Sequence, residues 1–299
     1  MDRIVIATRS SALAIAQADI VSKKLAGLGV RSEFLFVSTK GDRDKTSPLE
    51  EIGGDGLFVR SVEDALLCGK ADIAVHSAKD LPYTLASGLT IAGVPDEADP
   101  RDCLIMKTGL KQDCSPYENS FEGMVIGTSS PRRRLAAQDH FPGCLAMPIR
   151  GNVPTRIEKL RAGEYDGIIL ACAGLDRLEP DLSGLEKRIF EVREMIPAPC
   201  QGLIAAECRA SDLELVRLLE KVTERRVRLR FDAERYLFCR LLADCSAAIA
   251  VNAKIWGSEG AETIRISAAF EERSCVMTGA ADGYTDICDK VLKEIYKDG

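Results

Sequence analysis

The chain has 299 residues, 46% hydrophobic and 29% charged, with a formal net charge of -6. At roughly 100–200 residues per domain that length suggests two or three domains. No stretch approaches the roughly 20 consecutive apolar residues that span a bilayer, and a pI near 5.3 disfavours a polyanion such as nucleic acid as partner. The opening MDRIVIATRS has no apolar signal-peptide core, so the expectation is a cytoplasmic protein off the membrane. Eleven cysteines, an odd number with no CxxC spacing and no export signal, argue against a disulfide framework. Only two histidines, His76 and His140, are available for a Cys/His metal cluster, so no metal is expected.

Taken in order, residues 3–7 (RIVIA) read as a buried strand, followed by Ser10 or Ser11 as a helix cap and helical spacing over 12–28. Residues 33–38 (EFLFVS) are the next strand, and a Gly/Asp-rich loop spans 40–56. A helix over 57–67 precedes a third strand at 71–76 (ADIAVH). Such alternation predicts a mostly parallel sheet covered on both faces. The polar stretch DEADPRD at 96–102 suits a crossing into a second unit. There, strands at 103–107, 124–127, 144–148 and 167–171 alternate with helices at 129–140 and 153–162. The Pro-rich IPAP at 196–199 suits a return crossing, before a strand at 203–208. An Arg-rich helix over 224–242, strands at 247–256, 263–270 and 275–279, and a last helix at 284–297 form a small third unit. The expected fold is α/β: two α/β domains with a cleft between them, plus a small C-terminal α+β domain. The boundaries are 1–97 with 198–220, then 98–197, then 221–299.

Arginine carries the first chemical signal. Arg9, Arg132, Arg133, Arg134, Arg150, Arg156 and Arg177 all follow strand-like runs or open helices, and open α/β sheets bind ligands beyond the carboxyl ends of their strands. Guanidinium groups pair bidentately with carboxylates or phosphates, and a helix N-terminus adds positive potential. GTSSPRRR at 127–134 combines both devices. One such arginine fits a solvated face; seven in equivalent positions point to a multiply anionic ligand. HSAKD at 76–80 places Lys79 and Asp80 at the same crevice, where an aspartate facing arginines can pair an ammonium or pass a proton. An ordinary cap with an ion pair explains that motif about as well. His76, within the strand, reads as a buried hydrogen-bonded residue rather than a base. Cys245, in a loop, is on composition alone another packed cysteine. IGGDG at 52–56 is too loose for a phosphate loop and reads as a lid.

Together, IATRSSALAIAQA, KGD, GGDGLFV, ADIAVHSAKDLP, DPRD, GTSSPRR, IRGNVPTRIEKL and EYDGIILACAGLDRL, in this order along the chain, resemble the hydroxymethylbilane synthase (porphobilinogen deaminase) family. The resemblance implies two lobes like periplasmic binding proteins around an active cleft. It implies head-to-tail joining of four porphobilinogens with loss of four ammonias, on a covalently attached dipyrromethane cofactor made from the same substrate. Asp80 then matches the catalytic aspartate, steadying the cation formed as ammonia leaves. Cys245 matches the cysteine that carries the cofactor by a thioether. Lys79, Asp80, Thr128, Ser129, Ser130, Arg132, Arg133, Arg150 and Gly151 correspond to cofactor contacts. Arg9, Ser11, Phe58, Arg150, Arg156, Arg177 and Gln201 correspond to substrate contacts, with Gln17 a further cleft residue. The family expectation is also a monomer.

This chain departs from the family pattern in places. Ala243 and Asp244 stand where two glycines usually precede the cofactor cysteine, Asp55 replaces a frequent lysine, and Cys200 puts a second thiol near the expected cleft. Two rival readings fit some of the same residues. One is a two-lobed binder of a small polycarboxylate without catalysis; the other is an enzyme using a different cysteine as nucleophile.

Overall fold

A computed structural model describes residues 3–38, 59–109, 121–241 and 247–297. The expected lid at 52–56, Phe58, and Cys245 with Ala243 and Asp244 lie outside the described residues.

The first sheet has the order β2-β1-β3-β10-β4, from β1 (Arg3–Arg9), β2 (Arg31–Val37), β3 (Ile73–Ser77), β4 (Leu89–Glu97) and β10 (Leu203–Arg209). Helix α1 (Ala12–Ala26) starts where the Ser11 hydroxyl accepts from the Ala14 amide at 3.3 Å. Its Ala14, Ala18, Val21 and Leu25, at helical spacing, are buried. With Leu215 and Leu219 of α6 (Leu213–Lys221), three of these cover one sheet face, over Ile4, Ile6 and Ile204. On the other face α2 (Arg60–Leu67) packs Val62, Ala65 and Leu66 on Ala7 and Ala74.

A second sheet has the order β7-β6-β8-β5-β9, from β5 (Asp102–Lys107), β6 (Val125–Gly127), β7 (Leu145–Met147), β8 (Gly167–Ala171) and β9 (Leu185–Ile189). Its helices are α3 (Pro131–His140), α4 (Val153–Ala162) and α5 (Cys172–Leu178). Ser130 caps α3, with proline in its first turn, and Asn152 caps α4, which ends at left-handed Gly163.

The third unit is an antiparallel sheet of β11 (Ile249–Trp256), β12 (Thr263–Phe270) and β13 (Arg273–Ala280). Helices α7 (Arg225–Arg240) and α8 (Tyr284–Ile295) bury Leu237, Ile287, Val291 and Ile295 against Val251, Ile264 and Ile266.

Neither large sheet is as parallel as the alternation predicts. β10 runs antiparallel to both β3 and β4, and β5 runs antiparallel to β8 and β9. The reason is topological: each is entered from the neighbouring lobe, so the chain arrives at the crossing end and runs away from it. The crossings lie side by side, with the Ala98 amide donating to the Gly202 carbonyl at 3.0 Å. Gly202 has φ +89, and a Cβ there would lie 2.5 Å from the Ala98 oxygen. Only glycine permits that approach. The third unit docks on the same place: the Val251 amide donates to the Pro197 carbonyl at 2.9 Å.

Candidate active site between the lobes

The carboxyl ends of β1, β3, β6, β7 and β8 all point toward the crossings, so the loops that follow them face one another across a cleft. From the first lobe come Arg9, Ser11 and the short 3-10 turn Ala78–Asp80, directly after β3. From the second come 128–130, Arg150, Gly151 and Arg156.

Asp102, the first residue of β5, is fully buried and holds the cleft floor together. Arg132 donates from Nη1 to its Oδ2 at 2.6 Å, and Arg133 donates from Nη2 and Nε to its Oδ1 at 2.7 and 3.0 Å. Burial would raise the Asp102 pKa, but the two guanidiniums overcome it and hold the carboxyl well below the usual range. Arg132 also reaches the Ile196 carbonyl, and Arg133 the Ile169 carbonyl. Both arginines are therefore largely committed to the frame. The Nε of Arg132 is buried with no hydrogen-bond partner among the described residues.

Gln201 is the crosspiece. Its side-chain amide donates to the Pro100 carbonyl at 2.6 Å and to Asp102 at 3.0 Å, while its Oε1 accepts from Lys79 at 3.2 Å and Arg133 at 3.4 Å. One buried amide thus joins the Lys79–Asp80 turn of one lobe to the arginines of the other. Lys79 is an exposed residue, yet its ammonium is hydrogen-bonded to Gln201 and crowded by protein atoms. That desolvation, reinforced by Arg133, lowers its pKa to about 8 despite the nearby Asp80 and Asp102.

Arg156, half-buried, donates to the Gly151 carbonyl at 2.8 Å. Desolvation, then repulsion from Arg133 and Arg150, lowers its pKa to about 10. Arg150 has no hydrogen-bond or ion-pair partner among the described residues. The Asp80 carboxylate is exposed and near enough to Lys79 and Arg156 to act on both electrostatically, and it too has no hydrogen-bond or ion-pair partner among the described residues. Among the described residues, the cleft is thus a concentration of positive charge around one exposed carboxylate, inside a protein of net charge -6.

Other expected contacts lie at the cleft but are spent on building it. The Ser129 hydroxyl donates to the Ile149 carbonyl and accepts from the Ile149 amide. Thr128 Oγ1 accepts from the Ser130 amide, and Ser130 caps α3. Gln17 bonds Ser77 at 2.8 Å. Arg177 lies at the crossing, its Nη2 donating to Asp96 at 2.9 Å and to the Gly202 carbonyl at 2.7 Å. Its Nε has no partner among the described residues. Cys200, expected as a cleft thiol, instead packs into a core cluster with Leu203, Val227 and Phe231. Burial pushes its pKa well up, so it is no nucleophile. His76 is buried beside Glu207 at 3.0 Å, as its strand position suggests.

Several residues of this region carry no signal of their own in the sequence. Asp102 carries one: an acid directly before a buried apolar run (CLIM) must find a cationic partner. Arg230, Glu234 and Arg235 lie in the Arg-rich helix α7, whose sequence does not show which of its charges turn inward. Arg230 donates to the Gln201 carbonyl at 2.7 Å and to Glu234 at 2.9 Å. Fully buried Glu234 accepts from the Cys200 and Ala253 amides.

Comparison with known proteins places the chain in a family. Residues 4–217 match the family described as porphobilinogen deaminase, dipyromethane cofactor binding domain. Porphobilinogen deaminase of Chromobacterium violaceum is 38% identical over 305 aligned positions, covering 99% of this chain and 94% of that one. That of Streptococcus sanguinis is 40% identical over 257 positions, covering 85% and 83%. Among solved structures, substrate-binding domain 2 of Lactococcus lactis GlnP, in an open conformation, aligns with a TM-score of 0.45 at 11% identity, covering 74% of this chain and 88% of that one. A family match across most of the chain does not favour the non-catalytic binder, and the chain belongs to the porphobilinogen deaminase family.

Proposed function

We propose that Asp80 and the cationic cleft around it carry out the family's reaction in this chain. The reaction is the condensation of four porphobilinogen molecules, with release of four ammonias, to hydroxymethylbilane in tetrapyrrole biosynthesis. The observation that carries the reading is the opposition of one exposed carboxylate to a surplus of mutually repelling cations. Each substrate ring brings an acetate and a propionate to the cations and an aminomethyl group to the carboxylate.

The residues present fit a dipyrromethane, which carries four carboxylates. Lys79 and Arg156 have pKa values lowered by burial and by neighbouring cations, so a polycarboxylate would relieve that repulsion. Arg150, Arg156 and Lys79 would hold it, assisted by Arg9 and Ser11. Arg132 and Arg133 add field from the floor, where Asp102 has already taken their strongest bonds. When bound through a thioether to Cys245, the group supplies the pyrrole carbon to which the first substrate unit is joined. Asp80 pairs with the substrate ammonium, and its charge then stabilises the cation left as ammonia departs. The same carboxylate can accept the proton released from the pyrrole carbon. Gln201 keeps Lys79, and with it the turn carrying Asp80, in register with the second lobe.

Domain limits of 1–97 with 198–220, 98–197 and 221–299 go with this reading, supported by the three sheets and the paired crossings. The acidic balance supports the absence of nucleic-acid partners, while a cytoplasmic monomer is the family expectation. No helix among the described residues is long and apolar enough to cross a membrane.

Asp80→Asn tests the reading, because it keeps the side-chain shape and removes the charge. We expect kcat to fall by at least about 100-fold, while intact mass still shows two linked pyrrole units on the Cys245 peptide. Turnover near that of the wild type would remove Asp80 from the chemistry. The mass excess on a different peptide would move the anchor.

A further inference from the structure

We infer that Arg235 is a positioning residue for Asp80, the point at which the cofactor-bearing third unit sets the geometry of the carboxylate. The inference rests on the reading of Asp80 given above. Residues 227, 231, 235 and 239 recur every four positions and so share one face of α7. Val227 and Phe231 pack in one cluster with Ala78 and Leu81, the two apolar residues that bracket Lys79 and Asp80. One turn further on, Arg235 donates from Nη1 to the Leu81 carbonyl at 3.3 Å. Its Nη2 donates to the Pro82 carbonyl at 2.7 Å and the Tyr83 carbonyl at 3.1 Å. Cys239 completes the face, its thiol 3.4 Å from the Tyr83 carbonyl.

Three consecutive carbonyls gripped by one guanidinium is a specific arrangement. Pro82 contributes no amide hydrogen, so the segment after Asp80 cannot fasten itself through a regular backbone ladder. A planar, five-donor group from another unit does so instead. A lysine, with a compact ammonium, cannot span three such acceptors in the same way. Asp80 itself has no partner among the described residues, so its position depends on the backbone that carries it: Gln201 and Lys79 on one side, Arg235 on the other. The helix that fastens the backbone after Asp80 ends at Arg240, five positions before Cys245 in the sequence. Misplacing a reacting group by about 1 Å can cost about 100-fold in rate.

The test compares holoenzyme carrying Arg235→Gln, Arg235→Lys, Asp80→Asn, or Arg225→Gln. Arg225 makes its ion pairs with Glu262 and Asp282 inside the third unit, so its variant perturbs that unit away from residues 81–83. For Arg235→Gln we expect kcat to fall about 10-fold with KM within about twofold, a smaller loss for Lys, and unchanged kcat for Arg225→Gln. Hydrogen exchange should accelerate in the peptide covering 78–86 and stay as in the wild type across β11. The inference is overturned if Arg235→Gln keeps wild-type kcat and exchange, or if Arg225→Gln loses kcat equally. Should Arg235→Gln fail to fold, the same readouts on Arg235→Lys decide. Retained turnover in Asp80→Asn overturns the Asp80 reading instead, whatever Arg235 does.

Discussion

Lys79 is the residue whose environment is most informative about the ligand. Its pKa of about 8 follows from desolvation and the neighbouring Arg133, and both are altered when carboxylates enter. Binding a polycarboxylate should draw a proton onto Lys79, so affinity is full below about pH 8 and weakens as pH rises above it. Inhibition by a small tricarboxylate, measured from about pH 7 to about pH 9, should show this weakening in the wild type. The dependence should flatten in Lys79→Gln; a slope untouched by the substitution would exclude Lys79 from the binding charge. How much of the site was legible also separates at this scale. Arg150, Arg156 and Asp80 could be placed because each follows a recognisable strand or opens a helix, and topology then points it at the crevice. Arg132 and Arg133 could be placed but not weighed. Their partner Asp102 lies about 30 positions away, and its place before a buried apolar run calls for a cation without saying that these two arginines supply it.

Among elements, the joint between β5 and α3 decides whether the second lobe presents its arginines at all. Asp102→Asn would leave two buried guanidiniums facing a neutral amide. Breaking a buried pair from one side typically costs about 3–5 kcal/mol, and urea unfolding at neutral pH should show a loss of that order. The sign with pH follows from the depressed pKa. The contribution is fully present above the ordinary carboxylate range near pH 4 and is lost as pH falls toward the folded-state value. The wild type should therefore shed its advantage over the variant in acid, and a constant difference across that window would mean that the Asp102 charge is not what stabilises the joint. Elements with strong periodicity were legible: α1, α4 and α7 fall within two residues of their expected spans. β4 was missed because Gly93 and Pro95 interrupt its apolar run, and α5 because it follows β8 without a connecting loop. The antiparallel entry of β5 and β10 was hidden because strand direction depends on where the chain comes from, which no local pattern records.

At the scale of the whole molecule, an acidic protein gathers several of its cations at one crevice, so its net field disfavours anions while the cleft attracts them. Raising salt from about 0.1 M to about 1 M shortens the screening length from about 10 Å to about 3 Å. KM for porphobilinogen should rise several-fold over that range with little change in kcat, since the charge at Asp80 acts at contact distance. A kcat loss as large as the KM rise would instead mean that salt disturbs lobe closure. The insertion of β10 between β3 and β4 has a bearing on biosynthesis as well. A ribosome releases the chain from its first residue onward, and the sheet that begins at residue 3 lacks its fourth strand until residue 209 has emerged. During that interval β3 and β4 have nothing between them, while the second lobe, continuous from residue 102 to 189, can complete its own sheet. The lobe made second is thus the one able to mature first, and the one made first must wait, with open strand edges, for the chain to come back to it.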